Sequence, residues 1–291
     1  MVVCNLNCPS CPLAYICIPL AIGAAIAFKR YKGKLQKKRF VSQFGFLFIS
    51  NTALIFGATG LIYTYFYCWE SPFALMACPI GVIEHAFADR TWYLLPYLIG
   101  FIAFVSIIFG RAACGWACPI GFLQDVMKGR KVEKRKEIDK KLRMIKYLIL
   151  IAIPVASYIT RTLAYTDICP IGGLTATLPH LAIDPYGYTF TFFFYPKMIN
   201  VVGFFILVAF ITRGWCRHLC PVGAMMAQFN KVSVLQIKFY EERCIKCYRC
   251  AAVCPMQINM PYENKSGECI RCGKCIDACP KNALEFKFTW Q

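Results

Sequence analysis

Uncharged apolar stretches divide the first four-fifths of the chain. Residues 44–67 run for 24 positions without a charge, and residues 91–110 for 20. Both exceed the length a helix needs to cross about 30 Å of hydrocarbon. Two shorter runs, 147–160 and 198–212, are read the same way. The first is bounded by Lys146 and Arg161, whose long stems can reach past the apolar stretch. A fifth stretch, Pro12–Phe28, is apolar and is followed rather than preceded by positive charge. It reads as an uncleaved span with its N-terminus outside, or as a re-entrant or interfacial segment, and not as a signal peptide.

Charge then orients the spans. Residues 29–40 hold seven Lys/Arg and residues 111–143 hold ten, whereas 68–90 holds only Arg90 and 164–195 none. Positively charged loops stay in the cytoplasm. The expectation is cytoplasmic loops at 29–40 and 111–143, a cytoplasmic tail after Arg213, and outward loops at 68–90 and 164–195. The formal charge of +18 is explained by these loops, so no nucleic-acid role is assigned. Charged residues make up 16% and hydrophobic residues 58%, which argues against an ordinary soluble globule and against disorder.

Nineteen cysteines carry the chemistry. Residues 244–255 and 269–280 each read C-x2-C-x2-C-x3-C-P, the two-cluster ferredoxin pattern. Three close thiolates hold one face of a cubane and the fourth reaches to the other cluster. Cys244, Cys247, Cys250 and Cys279 form one expected [4Fe–4S] ligand set; Cys269, Cys272, Cys275 and Cys254 form the other. A zinc ribbon would not repeat a four-cysteine run with its proline. Lys246, Arg249, Arg271 and Lys274 sit between the ligands. They are open to three readings: tuning of the clusters, docking of a partner, or plain solvation.

A second pattern is a tetrapeptide. Cys78, Cys118, Cys169 and Cys220 each open a Cys-Pro-Ile/Val-Gly. Cys114/Cys118 and Cys216/Cys220 extend it backwards to C-x3-C-P, each after a predicted span. The helical part therefore reads as two units, about 44–121 and 144–223: span, outer CPIG, span, inner C-x3-C-P. Cys114, Cys118, Cys216 and Cys220, one α-helical turn apart within each pair, are expected to meet at the repeat interface. There they would hold a further cluster or a soft metal, or act as redox thiols; the rival is that each packs singly at a helix start. Cys4, Cys8, Cys11, Cys17, Cys68, Cys78 and Cys169 fall outside or near the outer face, as metal ligands or as disulfides.

The sequences Cys114-Gly-Trp-Ala-Cys-Pro and Gly214-Trp-Cys-Arg-His-Leu-Cys-Pro-Val-Gly-Ala224, followed by two ferredoxin motifs, resemble the NapH/MauN-type membrane ferredoxins over roughly residues 44–285. NosR-type proteins share this core with a large added domain, for which this chain has no room. The resemblance implies electron transfer between the membrane quinone pool and an Fe–S or haem partner subunit. The CPIG cysteines of the outer loops and the Cys-rich N-terminus depart from the pattern and leave the partner and the electron direction open.

The chain has three His (His85, His180 and His218) and no C-x-x-C-H, so covalent c-type haem and a haem between paired histidines lack support. No phosphate-binding loop or dinucleotide fingerprint occurs. Glu70, Glu84, His85 and His180 are the outer-side groups able to accept a proton from a quinol, set against ordinary polar loop residues.

The expected fold class is mostly α: a polytopic helical bundle of four or five spans in two pseudo-repeats, followed by a small α+β two-cluster ferredoxin domain. The segments are 1–40 (Cys-rich, with a span and basic loop), 41–235 (membrane domain) and 236–291 (ferredoxin). The expected function is an integral-membrane iron–sulfur electron carrier of the cytoplasmic membrane, a quinol dehydrogenase component working with other subunits. The alternatives are an accessory maturation reductase or metal-delivery factor acting through the C-x3-C-P thiols, and a passive relay anchor.

Overall fold

A computed structural model describes residues 28, 31, 33–50, 78–127, 136–178, 181 and 191–289. The expected span 12–28 therefore lies outside the described residues except for Phe28, as do the greater part of the 44–67 span and Cys4, Cys8, Cys11, Cys17, Cys68, Glu70 and His180.

Two sets of helices recur in the same order. The first is α1 (Lys34–Ser50), α2 (Pro79–Ala88), α3 (Leu94–Phe109), α4 (Ala112–Trp116) and α5 (Pro119–Met127). A short helix α6 (Lys136–Leu142) leads into the second set. That set is α7 (Ile145–Thr160), α8 (Ala164–Ile168), α9 (Pro170–Gly172, prolonged by a wider turn over Gly173–Thr177), α10 (Phe194–Phe210), a wide turn over Trp215–Leu219, and α11 (Pro221–Phe229).

Helices α3, α7 and α10 carry apolar side chains on their outward faces as well as toward the core. In α3, Leu98, Ile102 and Ser106 are buried at helical spacing, yet Ile99, Phe104 and Ile107 are exposed. In α10, Val201, Phe204 and Val208 are buried while Ile199, Val202 and Ile206 are exposed. The outward face of α7 carries Leu148, Ile151, Val155 and Ile159, each more than half exposed. The helix Asp139–Thr160 is long and apolar enough to cross a membrane; Leu94–Phe109 and Phe194–Phe210 are apolar but shorter.

The two sets interlock. Helix α5 of the first packs against its own α1 and against α10 of the second; α11 of the second packs against its own α7 and against α3 of the first. The last helix of each repeat thus crosses to the other repeat, so neither core closes alone.

Within the segments expected as outward loops, residues 79–88 and 170–177 are helical and largely buried, because Cys-Pro-Ile-Gly starts a helix here. In α2, Pro79–Glu84 are all buried against α7 and α3. Each C-x3-C segment ends in a turn wider than the α-helix. The Cys118 N–H donates to the Ala113 carbonyl at 3.0 Å and the Cys220 N–H to the Trp215 carbonyl at 3.0 Å. Both bonds run from a residue to the fifth before it, a wider turn than the α-helix and one found often at functional sites.

Strand β1 (Leu235–Phe239) opens the tail and pairs antiparallel with β2 (Leu284–Phe288), Leu235 opposite Phe288 and Phe239 opposite Leu284. Between them lie two four-residue helices, α12 (Arg249–Ala252) and α13 (Lys274–Asp277). The tail is not tethered at a distance. Cys114 and Met226 of the helical part share one core with Cys254, Met256, Cys269, Ile270, Cys272 and Cys275.

Candidate iron–sulfur centres

The tail holds two cavities. One is lined by Cys244, Cys247, Cys250 and Cys279, with Tyr248, Tyr262 and Pro261. The other is lined by Cys254, Cys269, Cys272 and Cys275, with Ile237, Ile258 and Met260. Each gathers three cysteines of one motif and the fourth of the other. Among the described residues no three His, Cys, Asp or Glu side chains converge on a point as a single ion needs. Four thiols spread around an apolar cavity fit a polynuclear cage instead. The donor set fits the iron–sulfur group.

The two cavities differ in setting. Cys254, Cys269, Cys272 and Cys275 are buried; in the other set Cys247 is exposed and its companions are half-buried. Burial pushes the Cys269 thiol up to about 12 against the pull of Arg271. A cluster supplies the metal charge that keeps such a thiolate.

The C-x3-C-P cysteines come together. Burial first, and then Cys216, Cys114 and Cys220, push the Cys118 thiol well above its usual range. Burial, Cys216 and Cys114 push Cys220 up to about 12. Cys114 is raised by burial and by Cys216. The Pro-Ile/Val-Gly that follows is a helix start at the same time. The Gly121 N–H donates to Cys118 Sγ at 3.3 Å, and the Gly223 N–H to Cys220 Sγ at 3.5 Å. A helix N-terminus favours negative charge on such a sulfur.

The first cysteine of each pair faces the other repeat. Cys114 Sγ lies 3.6 Å from Met226 Sδ on α11, and Gln124 Nε2 on α5 donates to Cys216 Sγ at 3.1 Å. Two arginines lock the exchange. Arg111 and Arg213 each stand three residues before the first cysteine of their pair, and both are fully buried. Arg111 Nη2 donates to the Cys216 carbonyl at 3.3 Å, and Arg213 Nη1 to the Cys114 carbonyl at 3.0 Å. The helix-start glycines make room for them. A Cβ on Gly223 would stand 2.9 Å from the Arg111 guanidinium, and one on Gly121 3.0 Å from that of Arg213.

Each arginine ends on a carboxylate shared with a second cation. Arg213 and Arg39 both pair with Asp125, with Lys274 at 3.6 Å. Burial works against ionisation there, but the two arginines hold the Asp125 carboxyl well below its usual range. Arg111 pairs with Glu268 at 2.9 Å and Lys146 with the same carboxylate at 2.5 Å. Glu268 is likewise held below its usual range.

Sequence reasoning missed Arg39, Arg111, Asp125, Arg213 and Glu268 as site residues, and read Lys146 only as the boundary of a span. The sequence signal was the arginine at the same offset in both repeats. Of the basic residues between the ferredoxin ligands, Arg271 is buried and donates to the Phe109 and Asn230 carbonyls at 2.9 and 2.6 Å. Lys246 and Arg249 are exposed. Cys78 and Cys169 cap α2 and α9 and are half-buried. Glu84 is not a loop residue. It is buried, accepting from the Tyr165 and Thr166 N–H groups at 2.7 and 3.1 Å and from Ser157 at 3.4 Å. His85 stands 2.9 Å from Asp89, and His218 2.8 Å from Asp139.

The comparisons with known proteins fall on these sites. Residues 91–136 and 195–239 each match the 4Fe-4S binding domain family, one match per repeat, and residues 243–284 match the 4Fe-4S dicluster domain family. The chain is 32% identical over 223 residues to the uncharacterized protein MJ0750 of Methanocaldococcus jannaschii, covering 74% of this chain and 87% of that protein. It is 28% identical to the ferredoxin-type protein NapH of Haemophilus influenzae, over 57% of this chain and 56% of NapH. It is 31% identical to the methylamine utilization ferredoxin-type protein MauN of Methylorubrum extorquens, over 53% of this chain and 50% of MauN.

The chain belongs to the NapH/MauN-type ferredoxin family.

It is a ferredoxin-type electron-transfer protein with 4Fe-4S domains. It spans about half the length of NapH and MauN. No solved structure matches it.

Proposed function

We propose that this chain is a polytopic membrane protein that carries electrons between the quinone pool and a redox partner subunit. In this reading the tail holds two [4Fe–4S] clusters, on Cys244, Cys247, Cys250 and Cys279 and on Cys269, Cys272, Cys275 and Cys254. Cys114, Cys118, Cys216 and Cys220 hold a third sulfur-ligated centre at the repeat interface. The clusters supply one-electron transfer.

The observation that carries the reading is the unbroken sulfur-lined core from Cys114 to Cys254, Cys269, Cys272 and Cys275. Backbone contacts keep it tight. Trp116 Nε1 donates to the Arg271 carbonyl at 2.9 Å, Gln36 Nε2 to the Cys272 carbonyl at 2.9 Å, and Asn230 Nδ2 to the Cys269 carbonyl at 3.0 Å. The apolar outer faces of α3, α7 and α10 support membrane insertion, since so much contiguous apolar surface is unfavourable in water. The Lys/Arg-rich segments beside the C-x3-C-P sites support a cytoplasmic tail.

The test is anaerobic purification from membranes followed by addition of a quinol analogue. The reading requires rapid reduction of the tail clusters, seen by EPR, and its loss when Cys118 and Cys220 are both replaced by Ala. Clusters that stay oxidised under quinol, but accept electrons from a small soluble reductant, contradict it.

A further inference from the structure

The two ferredoxin motifs are copies with opposite surroundings. Lys246 corresponds to Arg271, Tyr248 to Gly273 and Arg249 to Lys274. The backbone is the same in both: φ is 53° at Lys246 and 48° at Arg271, 54° at Tyr248 and 74° at Gly273. In the second motif all three positions dock on the helical part. Arg271 reaches three acceptors there, Lys274 approaches Asp125, and a Cβ on Gly273 would stand 2.3 Å from Leu35 of α1.

In the first motif the same positions face out. Tyr248 is 54% exposed, beside Ile245 at 57% and Tyr262 at 54%. Among the described residues the Lys246 and Arg249 side chains have no ion-pair partner. Tyr248 holds a left-handed conformation that its copy meets with glycine, and an exposed aromatic kept at such a position points to use. Arg243, Lys246, Arg249 and Lys281 line this cavity, and no carboxylate does. Glu241 and Glu242 lie on the preceding turn.

We propose that the Cys244/Cys247/Cys250/Cys279 face, centred on Tyr248 with Lys246 and Arg249, is the docking surface for an acidic electron-transfer protein. The docked second motif is the template, since there the same backbone positions bind carbonyl and carboxylate oxygens of another domain. Exposed Tyr and Arg at the centre of a patch are the residue types that dominate binding energy. Exposure of the Cys247 ligand lets the electron leave at this face: the reduced centre gives up one electron and the docked acceptor gains it. The inference rests on the electron-carrier reading and adds the partner's chemistry and place.

The test uses the full-length holoprotein in detergent and flavodoxin, an acidic one-electron acceptor, as the probe. Binding affinity and the rate of flavodoxin reduction are both read. Lys246→Glu with Arg249→Glu should weaken binding by about tenfold or more, and raising the ionic strength from about 0.05 M to about 0.5 M should do the same for the unaltered chain. Tyr248→Gly, which keeps the backbone, should weaken it about tenfold, with affinity compared between preparations of equal iron content. Equal affinity for all variants overturns the proposal, as does tighter binding of the basic acceptor cytochrome c. Loss of binding to anionic lipid vesicles in the charge variant, with flavodoxin affinity intact, overturns it in favour of a membrane contact. Failure of the electron-carrier reading would show separately, as clusters of the unaltered chain that stay oxidised under a quinol analogue.

Discussion

In the first repeat the arginine that crosses over, Arg213, ends on Asp125, an acid of that repeat's own inner helix. In the second repeat the position seven residues after the helix-start cysteine is Ala227 rather than an acid. The tail fills the gap. Gly267 lies so close that a Cβ on it would stand 2.9 Å from the Ala227 carbonyl, and the next residue, Glu268, meets Arg111 and Lys146. The first repeat supplies its own acid to the cations gathered there, and the second meets its acid only when the ferredoxin domain is in place. Glu268 directly precedes Cys269, so the same contact that balances charge also fixes the inner cysteine-lined cavity against Cys114.

This asymmetry can be broken from either side. Removing the tail after Ser233 should have the largest effect, since it leaves Arg111 and Lys146 buried without their acid and strips the shared core. The truncated chain should fail to accumulate as a folded membrane protein, read by its level after detergent extraction. Asp125→Asn comes next. It strands Arg39 and Arg213, and loss of one partner in a buried pair costs about 3–5 kcal/mol. A clear fall in thermal midpoint is expected, with the tail still attached.

Glu268→Gln should cost less, because Glu268 is 13% exposed and water can reach its partners. Its signature is local. Hydrogen exchange should rise over residues 267–272 more than elsewhere, whereas Asp125→Asn should loosen α1 and α5. Equal exchange patterns for the two variants would remove the distinction drawn between the repeats. Acid should act at this contact in a stated direction. Both carboxyls are depressed on folding, so their stabilisation is present above the ordinary carboxylate range and is lost as pH falls through their folded values. Gly115→Ala would set a Cβ 2.3 Å from the Ile270 carbonyl, so the backbone must shift; it should push the tail outward and weaken magnetic interaction between centres.

What the sequence discloses here depends on how far apart the partners lie. The tail motifs are local, so ligand spacing alone grouped the four cysteines that line each cavity. The repeat was visible in the fourfold CP[IV]G, and each unit's inner half matches the same family. The arginine exchange was hidden because Arg111 and the Cys216 carbonyl are 105 residues apart, and one arginine before a cysteine resembles any loop cation. The segments between spans were set by charge and span length alone, which carry no signal for the helices at 79–88 and 170–177, so Glu84 was expected in a loop.

The central claim is that four cysteines from two repeats make one centre next to the tail clusters. Iron and acid-labile sulfide counts on anaerobically purified protein, with EPR, test it most directly. The account predicts about twelve iron atoms per chain, falling to about eight when Cys118 and Cys220 are replaced by Ala, with the tail signals retained. A count of about eight in the unaltered chain that those substitutions leave unchanged would contradict it.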